Sequence, residues 1–237
     1  VPARDDHAVY LSSGTWGLLG VENREPITTP ESMAANFTNE GGYEYRFRYL
    51  KNIMGLWMIQ SVRRELNGVA YVAGKEARTA AEKQWSYAEL EDEARACENF
   101  AGRVDANDER FLAPESMIGA VKAACEDRGC PVPQTVGEIM ACIYHSLADC
   151  YAAAIRELAA LTGNRYTAIH IVGGGSKDGY LNELTAKAAG LPVYAGPAEG
   201  TALGNLMVQM IRAGEFAGLA EARAAVRNSF EIREVQP

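Results

Sequence analysis

Residues 167–175 read TAIHIVGGG, an almost unbroken apolar run that ends in three consecutive glycines. A run of this length, apolar on both faces, suits a strand covered on both sides. The segment that follows predicts a helix over 177–189, closed by Gly190, and then a short strand, PVYAG. Strands come first in the chain, then mixed helices, then this late strand-helix-strand unit, so the fold class is α/β with a mixed sheet. Such a junction aims backbone N–H groups and a helix dipole at whatever sits above it. Glycine there lets a phosphate or a flat ring approach the backbone. The alternative is a tight turn that faces no ligand. Gly173-x-Gly175 is not a dinucleotide fingerprint, because Asp178 stands where the third glycine belongs, and no Gly-Lys-Ser/Thr follows to make a P-loop.

Earlier in the chain, HAVYLSSGTWGLLGVE predicts two strands around a Ser-Ser-Gly turn. The hydroxyls and amides of Ser12 to Trp16 could meet a phosphate or simply satisfy their own hairpin. Thr28 to Glu31 resembles a capping box, with Pro30 in the first turn. ANFTNEGGYEYRFRYLKN reads as an irregular segment leading into a helix, KNIMGLWMIQSVRREL. Helical spacing there puts Asn52 and Gln60 two turns apart near one face, where their amides need partners from a hydroxylated ligand or a neighbouring loop. Residues 67–81 read as a linker. Ser86 with Glu89 opens a capped helix, and Pro114 starts another that ends at Gly129. Thr135 with Glu138 precedes a long helix with a core stripe through Ile139, Ile143, Leu147, Tyr151 and Leu158. The last helix expected is TALGNLMVQMIRAG, closed by Gly214.

Composition excludes several roles. The 237 residues suit one large domain or two small ones, and Lys plus Arg number 23 against 31 Asp plus Glu, a net charge of -8. With no basic run, neither nucleic acid nor an anionic membrane is an expected partner. No apolar run is long enough to span a bilayer, and VPARDDHAVY has no signal-peptide pattern. The five cysteines form no CxxC pair and read as reduced cytoplasmic thiols, with no disulfide framework and no metal site. His170 and His145 fall in buried patterns and read as satisfied core groups; Asp5 and Asp6 lie too near the terminus for a carboxylate platform. The Asn36-Phe37-Thr38 sequon and the acidic run at 89–93 carry no function.

Three stretches occur together and in order: YLSSGTWGLLGVE, ANFTNEGGYEYRFRYLKNIMGLWMIQ and IHIVGGGSKDGYLNELTAKAAGLPVYAGPAEGTALGN. In these the chain resembles the C-terminal domain of the FGGY carbohydrate kinases, and within them the members that act on L-rhamnulose. The resemblance implies an actin-like ATPase, ribonuclease H-like fold over residues 1–237, with mixed sheet and flanking helices. It implies ATP and Mg²⁺ as cofactors, and a sugar-binding N-terminal domain as a partner that these residues do not include. It also implies roles for single residues: Thr15 at the nucleotide phosphates, Gln60 as a further ATP contact, Gly174 against the adenosine end, and Asn52 toward the sugar. The family's catalytic aspartate belongs to a Gly-His-Asp-Thr-like segment that has no match after Val1, so no catalytic residue is assigned and the stretch is expected to be inactive alone. A kinase half for another sugar, such as L-fuculose or D-xylulose, and a non-catalytic nucleotide-binding module stay open beside this reading.

Overall fold

The computed structural model describes residues 1–72 and 75–237, with side chains described outside 70–76. Two compact units emerge. The first comprises Val1–Ile53 and Tyr151–Pro237, and the second comprises Met54–Cys150.

The chain opens with the expected hairpin, β1 (Ala8–Ser13) and β2 (Trp16–Asn23), paired antiparallel with Ser12 across from Leu18. A short helix α1 (Pro30–Ala34) follows. Its cap is Thr29, whose hydroxyl accepts from the Ser32 N–H at 3.2 Å, one residue later than the sequence pattern suggests. The segment expected to be irregular instead supplies two strands, β3 (Thr38–Gly41) and β4 (Phe47–Met54), paired antiparallel. Extended structure therefore runs through Asn52, and helix α2 (Trp57–Leu66) begins only afterwards. The helical period misled here because Phe47 to Met54 is an apolar-rich run too short to tell strand from helix.

The second unit continues from α2. The expected linker holds an antiparallel pair, β5 (Val69–Val72) and β6 (Lys75–Arg78); Ala73 and Gly74 lie outside the described residues. Helix α3 (Tyr87–Ala96) carries the Ser86–Glu89 capping box in full. Helix α4 (Met117–Asp127) starts at a Ser116 cap, past Pro114. Helix α5 (Val136–Thr162), of which the part up to Cys150 belongs to this unit, opens on reciprocal bonds between Thr135 and Glu138. Polar groups in this unit are tied internally. The Trp57 indole donates to the Phe111 carbonyl at 2.9 Å, and Glu65 receives both the Ser116 hydroxyl at 2.6 Å and the Ile118 N–H at 3.2 Å.

Back in the first unit, the triglycine run follows β7 (Ala168–Val172), and α6 (Gly179–Ala189) crosses to β8 (Val193–Ala195). Gly190 closes α6 in a left-handed conformation, φ 64°, as expected. Helix α7 (Gly200–Ala213) ends at Gly214, and a further helix, α8 (Leu219–Ser229), and strand, β9 (Arg233–Val235), complete the chain. The last two were not legible: LAEARAAVRNS carries a weak apolar stripe, and REV is three residues. The seven strands order as β3-β4-β2-β1-β7-β8-β9, with β1–β7 and β7–β8 parallel and β8–β9 antiparallel. Val9, Leu11, Leu19, Ile169 and Ile171 are fully buried, whereas Ser12 and Leu18 are half-buried. That second face of the sheet is where the groove lies.

Candidate functional site

Ser12 sits beside Val172 of the parallel neighbour and across from Leu18 of the antiparallel one. One or two residues further along each strand, Ser13, Gly14 and Trp16 from the hairpin meet Gly173 and Gly174 from the turn. Together with Asn52 they line a groove of about 600 Å³. A second cavity of about 400 Å³ shares Ser12 and Leu18 with it and runs to Gly200, Thr201 and Asn205 at the start of α7. Spaces of this size hold a small organic ligand.

The three glycines answer to different constraints. Gly173 has φ 89°, which side chains rarely adopt, and a Cβ there would lie 2.5 Å from the Ser13 carbonyl oxygen. A Cβ on Gly175 would overlap the Ser13 hydroxyl. Gly174 has no positive φ, and a Cβ there would meet nothing within 4 Å. The chain itself thus accounts for the outer two glycines. The middle one faces the groove, and nothing within the described chain demands it.

The helix-dipole expectation needs correction. A 3-10 turn, Gly174–Lys177, separates the glycines from α6, and within it the Ser176 N–H bonds the Gly173 carbonyl and the Asp178 N–H bonds the Gly175 carbonyl, both at 3.1 Å. Asp178 then caps α6 by accepting the Leu181 N–H at 3.0 Å. A carboxylate on the first turn already answers the positive end of the helix.

The structure places Asn52 and Gly174 on one groove. Thr15 is exposed at the hairpin tip, between the lining residues Gly14 and Trp16. Asn52 and Gln60 do not share a helix: Asn52 is exposed on β4, and Gln60 is half-buried on α2 of the second unit. Sequence reasoning offered Ser12 to Trp16 as one turn and did not single out Ser13 or Trp16 within it. The Ser13 hydroxyl is buried and has no hydrogen-bond partner among the described residues. Trp16 is half-exposed at the groove wall, and the alternation of Trp16 with Leu18 along β2 was the available signal. His145 is satisfied, its Nε2 being 3.0 Å from the Glu98 carbonyl. His170 is not: it is buried, stacked on Tyr194 at 5.1 Å, and its Nδ1 has no partner among the described residues. Burial pulls its pKa down to about 4, so it is neutral near pH 7.

The groove combines polar and apolar lining: serines, the Asn52 amide and bare glycine backbone beside Trp16 and Leu18. The model for the C-terminal domain of the FGGY family of carbohydrate kinases matches residues 9–213. The chain belongs to the FGGY carbohydrate kinases. A rhamnulokinase from Bacillus subtilis (strain 168) is 43% identical over 236 residues, which are 100% of this chain and 46% of that protein. Rhamnulokinases from Klebsiella pneumoniae and Bacteroides thetaiotaomicron are 44% and 40% identical, again over 100% of this chain. The chain spans a little under half the length of these relatives. Among solved structures, gluconate kinase from Lactobacillus acidophilus superposes with a TM-score of 0.69 at 14% identity, covering 98% of this chain and 43% of that one. Plasmodium falciparum glycerol kinase with ADP gives 0.63 at 11%, covering 96% and 42%. The fold is accordingly that of the FGGY sugar kinases, a mixed α/β actin-like ATPase architecture. Among the described residues, no helix is long and apolar enough to cross a membrane.

Proposed function

We propose that this chain is the nucleotide-binding part of an ATP-dependent kinase that phosphorylates L-rhamnulose on its C1 hydroxyl. The nucleotide assignment rests on Gly174. It is the one glycine of the three that the chain does not require, and it lines the groove. The sugar assignment rests on relatives at 40–44% identity that carry the name rhamnulokinase.

In this reading the bare backbone at Gly174 lets the adenosine end lie against the turn. The Thr15 hydroxyl, at the hairpin tip, donates to the phosphates. Asn52 offers its amide to a sugar hydroxyl. Bound Mg²⁺ would neutralise phosphate charge; with no carboxylate in the groove lining, it would be held chiefly by the phosphates and water. No residue here matches the carboxylate that orients the attacking hydroxyl, so these 237 residues tested by themselves transfer no phosphate to L-rhamnulose. The cysteine pattern, with no CxxC pair, suits a protein of the reducing cytoplasm.

Calorimetric titration with ATP and Mg²⁺ tests the assignment. Gly174→Asp should weaken binding at least tenfold by placing a carboxylate where nucleotide must lie. Equal affinity in parent and variant sinks the idea.

A further inference from the structure

Three of the five cysteines converge in the second unit, and a helix cap brings them together. Helix α4 ends at Asp127 with Arg128 as its cap, and Gly129 adopts the left-handed conformation, φ 64°. The reversal lets the Cys130 N–H bond the Cys125 carbonyl at 3.1 Å. Such a cap folds the residue after the glycine back over the last turn of its helix. The Cys130 thiol accordingly lies 3.6 Å from the Cys125 carbonyl and 3.4 Å from the Arg103 carbonyl. From the facing helix α5, Cys142 presents its sulfur to Cys125 at 3.8 Å. Cys125 and Cys142 are fully buried, and Cys130 is half-buried.

We propose that these residues form a thiol relay: Cys130 exchanges with a low-molecular-weight disulfide, and the oxidation passes to a Cys125–Cys142 bond between α4 and α5. The Cys130 thiolate attacks one sulfur of the small disulfide and releases one small thiol. Cys125, giving up its proton, attacks Cys130 and releases the second. Cys142 then attacks Cys125 and returns Cys130 to the thiol. In sum, two protein thiols and one small disulfide become one protein disulfide and two small thiols. Burial pushes both the Cys125 and the Cys142 thiols above the ordinary range, which makes each a poor first nucleophile and leaves first contact to Cys130.

The test incubates the protein with oxidised glutathione, counts free thiols after denaturation, and maps linkages by peptide mass spectrometry. The count should fall from five to three, with a Cys125–Cys142 linkage, and dithiothreitol should restore it. Cys130→Ser should slow the reaction at least tenfold and leave the final linkage unchanged. Cys142→Ser should stop oxidation at a Cys125–Cys130 bond or a Cys130 mixed disulfide. Five persisting thiols, a linkage that involves Cys97 or Cys150, or a Cys130→Ser variant as fast as the parent would each overturn the relay.

Discussion

The two units treat their polar groups differently. Among the described residues of Met54–Cys150, buried and half-buried polar groups pair within the unit: Trp57 with Phe111, Ser146 with Val104, and Glu65 with both Ser116 and Ile118. In the sheet unit, the hydroxyl beneath the triglycine turn and one nitrogen of the strand before it go without partners among the described residues. An unmatched buried polar group costs on the order of 1–3 kcal/mol. The first unit carries that cost beside its groove, where polar surface has a use. In the second unit the bonds to Glu65 fix the start of α4.

The comparison can be broken at several points. The largest expected effect is at Gly175, where Val must displace Ser13 and should destabilise by about 3 kcal/mol or more, read by urea unfolding. Next comes acid. His170 has a folded pKa near 4, below its unfolded value, so the unfolded state binds the proton more readily between about pH 6.5 and 4. Stability should be fully present above that window and fall through it, by up to ~3 kcal/mol. His170→Phe should flatten that limb of the pH profile. In the second unit, Glu65→Ala removes two acceptors at the start of α4 and should cost about 1–2 kcal/mol, with nucleotide affinity unchanged. The smallest stability effect belongs to Gly174→Ala, within about 0.5 kcal/mol of the parent, since its Cβ enters open space. A large destabilisation there would show that the chain needs this glycine for itself.

What could be read from the sequence divides along similar lines. Capped helices announced themselves, because Ser86–Glu89 and Thr135–Glu138 are local pairs whose geometry depends on nothing distant. The β1–β2 hairpin and the strand before the glycines were equally plain. Asn52 was placed on the wrong element, since strand or helix at Phe47–Met54 is decided by pairing with sheet neighbours rather than by period. The family resemblance singles out Gly174 as a place of close approach, while no local pattern separates it from Gly173 and Gly175. That distinction depends on Ser13, more than 150 residues away, and on a parallel pairing that no local pattern encodes.

That pairing also sets an order in time. A ribosome finishes Met54–Cys150 before it has made β7, so the helical insert can fold while β1 still lacks one neighbour. The groove gains its second wall only when residues 168–174 emerge, so its lining is completed after the whole of Met54–Cys150 has been made.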